Sequence, residues 1–209
     1  MLTRTRPRRG ITALRRFVQS QPVERCELCA APIPQDHAHV LELASGDLLC
    51  ACLACAYSAG ERLDGRYRRV PSRVEALTYF RISDAEWHAL GLPIDMAWLF
   101  YSTQAGRPIA LYPGPMGATQ SLLGLDAWAT IVSRNPSLGE FEPDVEALLV
   151  NRINGRRAYY RVPIDRCYEL VGLIRRHWQG WSGGDAVWKA IDEYFAGLAP
   201  AEPANGRAS

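Results

Sequence analysis

Residues 26–55 read CELCAAPIPQDHAHVLELASGDLLCACLAC, and this stretch holds five of the six cysteines in a chain of 209 residues. Two pairs have the spacing Cys-x-x-Cys: Cys26 with Cys29, and Cys52 with Cys55, with 22 residues between the pairs. Two cysteines three positions apart in a tight turn place both thiolates on one side of the backbone, and two such turns complete the tetrahedron that zinc prefers. The spacing therefore predicts a metal site with four protein ligands and no open position, which is typical of structural zinc.

The sequence leaves open which metal is bound and which cysteine supplies the third ligand. A tetrahedral four-sulfur site suits iron as well as zinc, and reduced cysteines without a metal are the alternative to both. Cys50 points to the same face of an extended strand as Cys52, so either could be the third ligand. The closer spacing to Cys55 favours Cys52, which leaves Cys50 as a redox-active thiol or a small buried side chain.

Two histidines, His37 and His39, lie between the cysteine pairs. They could form a second site with Cys50, or His39 could replace one of the four thiolates. Because four cysteines already complete a metal site, the sequence favours solvent-facing polar side chains for both histidines.

The chain divides into four predicted segments. Residues 1–21 are rich in arginine and predict a flexible arm, and residues 22–60 predict a zinc-ribbon-like cysteine module whose centre forms a hairpin around Ser45-Gly-Asp47. Residues 61–198 carry mixed helix and strand patterns. Residues 199–209 contain two prolines and a glycine and predict a disordered tail.

The pattern over 61–198 predicts an antiparallel sheet covered by helices. Turn signals at residues 104–107 and at Asn154-Gly155 each separate two runs that favour strands. Apolar residues then recur at helical spacing over 165–178 and 185–198, with Asp165 placed to cap the first helix and Cys167 expected in the core. The sequence therefore predicts an α+β fold, in which the small N-terminal module is joined to this sheet.

Positive charge is concentrated at the N-terminus. The whole chain has a net charge of +2, but residues 1–25 contain seven arginines and one glutamate, so the remainder is net acidic. An arginine-rich arm could contact nucleic-acid phosphates. The acidic remainder and the lack of a recognition helix argue against nucleic acid as the partner.

Export and membrane signals do not emerge from the sequence. Arg15-Arg16 is suggestive of a twin-arginine signal, but no apolar segment follows it. The longest apolar stretch, residues 48–59, has 12 residues, which is too short to span a bilayer. We therefore expect a cytoplasmic protein.

Common catalytic motifs are also missing from the sequence. It contains no glycine-rich phosphate loop, no Gly-x-Ser-x-Gly turn and no His-Glu-x-x-His pair. We assign no catalytic residues, and the pattern favours a protein that is not an enzyme.

Several longer stretches resemble one protein family. They are residues 25–34 (RCELCAAPIP), 48–55 (LLCACLAC), 112–122 (YPGPMGATQSL), 142–149 (EPDVEALL) and 162–170 (VPIDRCYEL). The family they resemble is DUF5947, a mostly actinobacterial family of unknown function, and the resemblance extends from about Arg15 to Leu198. It implies a gene position beside high-affinity NiFe hydrogenases that scavenge atmospheric hydrogen, and hence an accessory role in assembly or electron transfer.

Three functions follow from these patterns as expectations. The leading one is a non-enzymatic zinc-binding accessory or maturation factor that contacts a NiFe hydrogenase subunit or maturation protein. The alternatives are a rubredoxin-like iron electron-transfer protein and a zinc-containing nucleic-acid binder. We expect the contact surface in the module and arm, because a module of under 40 residues is too small to bury its own leucines.

Overall fold

The computed structural model describes residues 23–62, 65–122 and 124–198. The predicted arm, residues 1–21, and the predicted tail, residues 199–209, lie outside the described residues. Within the described ranges the chain forms two antiparallel sheets and five α-helices. The fold is α+β, as the sequence predicts.

The first part of the chain forms a small sheet and a helix. These elements are β1 (Ala38–Glu42), β2 (Leu48–Ala51), β3 (Tyr67–Arg69) and α1 (Leu53–Arg62). β1 and β2 form the predicted hairpin, and β3 pairs with the other edge of β1. The small sheet therefore takes its third strand from beyond the predicted range of 22–60. Helix α1, which the sequence analysis did not predict, begins directly after Cys52.

Six further strands form the larger sheet. They are β4 (Glu75–Ala76), β5 (Met96–Ser102), β6 (Arg107–Gly114), β7 (Gly117–Ser121), β8 (Glu146–Asn151) and β9 (Ala158–Pro163). They lie in the order β4-β9-β8-β5-β6-β7, and each neighbouring pair is antiparallel. The hairpins β5–β6 and β8–β9 are the two that the turn signals predict. Residues 115 and 116 form a tight turn that joins β6 to β7.

Helices cover both faces of the larger sheet. They are α2 (Asp84–Ala89), α3 (Leu125–Arg134), α4 (Ile164–His177) and α5 (Gly184–Leu198). On one face Leu149 packs in a core with Leu170 of α4, and on the other face its neighbour Leu148 packs in a core with Trp87 of α2 and Ile131 of α3. Strand β8 is buried along its whole length because its residues point alternately into these two cores. Across the described ranges, no helix combines the length and apolar character needed to cross a bilayer.

The start of α4 differs from the sequence prediction in a way that concerns the site. The residue before the helix is Pro163, and no side chain caps the helix there. The prediction that Asp165 caps α4 is therefore wrong, and its carboxylate contacts His39 instead. Cys167 is fully buried in the core, as predicted.

The small sheet packs on the rest of the molecule beside α4. Leu41 of β1 and Val70, which follows β3, belong to the same core as the helices α4 and α5. Arg68 of β3 donates hydrogen bonds to the Pro143 carbonyl, at 2.7 Å, and to the buried carboxylate of Asp144, at 2.8 Å. These contacts place the cysteine-rich stretch next to the first turn of α4.

Candidate metal centre

Four cysteine sulfurs converge at one end of the small sheet. The Sγ atoms of Cys26, Cys29, Cys52 and Cys55 all lie within 4.8 Å of one another, and those of Cys29 and Cys52 are 3.7 Å apart. A tetrahedral ion with metal–sulfur bonds of ~2.3 Å requires sulfurs about 3.8 Å apart. The cluster therefore has the donor set and almost the dimensions of a four-thiolate site, and it could bind a metal ion.

A tight turn presents the first cysteine pair. The Ala30 N–H donates to the Cys26 carbonyl at 2.8 Å, and the Cys26 N–H donates to the Ala31 carbonyl at the same distance. Ala30 adopts a φ of 60°, in the left-handed region that favours glycine. These hydrogen bonds hold the chain in a tight turn, and the turn places both sulfurs on the same side of the backbone.

The start of helix α1 presents the second pair. The Cys55 N–H approaches the Cys52 sulfur at 3.5 Å, as a third-position amide does toward an N-cap side chain, and the Ala56 N–H donates to the Cys52 carbonyl at 2.9 Å. The partial positive charge at a helix N-terminus favours a thiolate there. Helix α1 therefore fixes the position of the pair, and its N-terminus favours the thiolates that a bound metal would require.

Glu27 joins the two halves of the site. Its backbone N–H donates to the Cys50 carbonyl at 2.9 Å, and its carboxylate accepts from the Cys50 N–H at 2.5 Å. The residue inside the first Cys-x-x-Cys turn thus binds the strand that leads to the second turn. This contact brings the two pairs together.

The four sulfurs have different environments. Cys26 is 2% exposed, and although burial raises its pKa, N–H groups of Cys52, Cys29 and Leu28 that point at its sulfur lower the pKa to about 6. Burial and the neighbouring thiols of Cys29 and Cys52 raise the pKa of Cys55 to about 12. The backbone N–H groups therefore favour a thiolate at Cys26, whereas burial and the neighbouring thiols favour the protonated form of Cys55.

Cys50 is not part of this cluster. It lies opposite His39 in the β1–β2 pairing, and its sulfur lies within 4.8 Å of a ring nitrogen of His39 and of one of His37. The structure thus places Cys52 with the other predicted ligands and Cys50 with the histidines. Burial, followed by the charges of Glu27 and Glu24, raises the pKa of the Cys50 thiol.

The histidines are less exposed than the sequence favours. The side chain of His37 is 8% exposed and that of His39 is 28% exposed, so the solvent-facing interpretation is wrong for His37. The sequence analysis also missed Asp165, whose Oδ2 lies 3.0 Å from Nδ1 of His39. The His-x-His spacing opposite Cys50 was a usable signal for the first three residues. Asp165 is 126 positions away from His39 and gave none.

Comparison with protein families gives a match over residues 25–202 to DUF5947, a family of unknown function. The chain belongs to the DUF5947 family. The matched range includes all six cysteines and both histidines of the site. Searches of the curated proteins and of the solved structures returned no match.

Proposed function

We propose that this DUF5947 protein is a non-enzymatic, cytoplasmic zinc-binding accessory or maturation factor that acts by contacting a NiFe hydrogenase subunit or maturation protein. The observation that carries the proposal is the four-cysteine cluster, which could bind a metal ion and lies in a small module with an exposed surface beside it. The hydrogenase as partner is an expectation from the gene position that the family resemblance implies.

The donor set supports zinc as the metal. Four thiolates fill a tetrahedral coordination shell, and such closed sites hold structural zinc. The module also needs a metal, since its own core consists of a few small residues and Ile33, Val40 and Cys26. Zinc at the cluster would fix the two turns on either side of the hairpin.

The first test is the metal content of the purified full-length protein. After dialysis against metal-free buffer, we expect the wild type to hold zinc at the four-cysteine cluster, at least one ion per chain, and Cys26→Ser or Cys55→Ser to hold none at this cluster. Cys167→Ala, in the core far along the chain, is the matched control and should keep its zinc. Protein prepared without oxygen that holds no metal at the cluster would overturn the proposal.

A surface next to the cluster supports a role in protein contacts. Leu53 and Tyr57 lie one turn apart on α1, and they are 66% and 60% exposed. The guanidinium of Arg69 lies 4.1 Å from the centre of the Tyr57 ring. This surface therefore combines an exposed leucine and an exposed tyrosine with a neighbouring arginine. Such a surface suits a partner whose apolar patch has an acidic rim.

The second test measures whether this surface binds the partner protein. Tagged full-length protein, expressed in a host that makes the hydrogenase, should co-purify with a hydrogenase subunit or maturation protein identified by mass spectrometry. The double variant Leu53→Ser, Tyr57→Ser should lose that protein, whereas Trp181→Ser, fully exposed between α4 and α5, should retain it. Equal recovery by the double variant would contradict the surface assignment. Unchanged hydrogen uptake and subunit processing after gene deletion would contradict the hydrogenase link.

A second candidate function is electron transfer by iron in the same cluster. The observation that favours it is the exposed position of Cys29, which gives a route for electrons to one ligand. Iron in place of zinc, with a visible thiolate-to-iron charge-transfer band and a reversible redox wave, would support this function over the first.

A further inference from the structure

A second group of metal-ligating side chains lies on the neighbouring part of the small sheet. One ring nitrogen of His37, one of His39 and the Cys50 sulfur all lie within 4.8 Å of one another. The hairpin creates this group, because His39 and Cys50 are direct cross-strand partners and His37 precedes His39 by two residues. The two imidazole rings have centroids 4.8 Å apart.

His37 is held with one nitrogen free. Its Nδ1 lies 2.9 Å from the Pro34 carbonyl and 3.4 Å from a carboxylate oxygen of Glu24, and both are acceptors. Nδ1 therefore carries the proton, and Nε2 carries a lone pair. That Nε2 is buried and has no hydrogen-bond partner within the described residues, in a side chain that is 8% exposed. A buried acceptor without a donor is costly, and a bound cation would remove that cost.

His39 is oriented in the same way by a carboxylate. Its Nδ1 lies 3.0 Å from Oδ2 of Asp165, so Nδ1 donates and Nε2 is the available nitrogen. A histidine that binds a metal through one nitrogen commonly donates the other N–H to a carboxylate or a backbone carbonyl. His37 and His39 show one of these arrangements each.

We propose that His37, His39 and Cys50 form a second metal site, separate from the four-cysteine cluster, that binds a divalent first-row transition ion such as zinc through two Nε2 atoms and one thiolate. On binding, the Cys50 thiol releases its proton to solvent, and each imidazole supplies the lone pair of its Nε2 atom. Bonds of ~2.0–2.3 Å put the three donor atoms about 3.3–3.5 Å apart, and in this structure they already lie within 4.8 Å of one another.

Three protein ligands leave one position of a tetrahedron open, which is the arrangement of catalytic and exchangeable sites. Here the three residues line a cavity of about 560 Å³ together with Asp165, Arg166 and Tyr168. The second carboxylate oxygen of Asp165 is buried and has no partner within the described residues. The open position is therefore accessible to water or to an exchangeable ligand. This site goes beyond the proposed function, in which the metal only stabilises the module.

Cobalt(II) alone is the probe for the experiment. Reduced, metal-free full-length protein is titrated with cobalt(II) without oxygen, and the ligand-field and thiolate charge-transfer bands are recorded. We expect two equivalents to bind to the wild type, with different spectra for the four-sulfur and mixed sites. His37→Gln and Cys50→Ser should bind one equivalent with the four-sulfur spectrum, while His88→Ala, an exposed histidine on α2, should bind two.

Asp165→Asn tests the orienting carboxylate. We expect it to weaken the second equivalent about 10- to 100-fold and leave the first unchanged, since groups that accept a hydrogen bond from a metal-binding histidine have effects of that size. The spectrum of the first equivalent also reports that each variant is folded at the cluster. Wild type that binds a single equivalent, or variants that bind as many as the wild type, would overturn the second site while leaving the four-cysteine proposal intact.

X-ray absorption at the zinc edge gives a reading that needs no substitution. In wild-type protein loaded with two zinc ions, one closed and one mixed site predict on average about 2.5 sulfurs and one imidazole nitrogen per zinc. A shell of sulfur alone would contradict the proposal.

Discussion

The thiols of the four-cysteine cluster differ in whether they must lose a proton before they can bind a metal. Cys26 has a pKa of about 6 and is already ionised above that pH, whereas burial raises the pKa of Cys55 to about 12. The pKa of Cys29 is also raised, despite an N–H donor from Ala31, because the Cys26 sulfur lies beside it. At neutral pH at least two protons must therefore leave when a metal binds.

This proton release predicts that zinc binds more tightly as the pH rises. Between pH 6.5 and 8 the apparent affinity should increase by at least two log units per pH unit, since each released proton contributes one. Competition with a chromophoric chelator at several pH values measures this slope. Cys50→Ser should show the same slope at the four-cysteine cluster, and an affinity independent of pH would contradict the assignment of protonated thiols.

A buried ion pair joins two central strands of the larger sheet. Arg161 of β9 donates from Nε to Oε1 of Glu146 of β8 at 2.8 Å, and the two side chains are 9% and 3% exposed. The same pairing raises the pKa of Arg161. Removing one partner would leave the other charge buried and uncompensated.

We therefore expect Glu146→Ala to lower the free energy of unfolding by about 3–5 kcal/mol. Denaturant unfolding of the zinc-loaded protein measures the change. Glu193→Ala, which removes an exposed partner of Lys189 on α5, is the matched control and should change stability by less than about 1 kcal/mol. A small effect of Glu146→Ala would show that water or a neighbouring acceptor, such as the Glu140 carboxylate, compensates Arg161.

The elements that the sequence predicted are those specified by neighbouring residues. The turn signals at 104–107 and at Asn154-Gly155 lie between the strands that they join, so β5–β6 and β8–β9 could be predicted from local pattern. The four converging cysteines likewise depend on spacing within each turn. Helix α1 was missed because its first turn overlaps the second cysteine pair, whose metal-ligand spacing hid the helical pattern.

Contacts between distant segments could not be predicted in this way. The pairing of β3 with β1 and the contact of Asp165 with His39 depend on how the small sheet packs against α4. Asp165 has the residue type of a helix cap but lies in the first turn of α4, and only the tertiary contact shows that its carboxylate has another partner. The sequence could raise a His–His–Cys group as an alternative, but not the burial of His37 that favours it.

The small sheet and the larger sheet share a hydrophobic core, and this has a consequence for the whole molecule. Leu41 and Val70 pack in the core that contains Leu149 and helices α4 and α5, and Arg68 binds the buried carboxylate of Asp144. Loss of the metal should therefore weaken the packing of the entire core, and the module and the larger sheet should unfold together.

The positions of the tryptophans make this coupling measurable. All six lie between residues 87 and 188, outside the cysteine-rich stretch, so their fluorescence reports on the larger sheet and its helices. If folding is coupled, free zinc at 100 times its dissociation constant should raise the stability reported by tryptophan by about 2.7 kcal/mol. The release of zinc, followed with a chromophoric indicator, should coincide with the tryptophan transition. A tryptophan transition that stays at the same denaturant concentration after a chelator has removed the zinc would show that the two parts fold independently.

Leu41→Ala, which removes the contact of β1 with the shared core, should lower the tryptophan-reported stability by about 2–5 kcal/mol even with zinc bound.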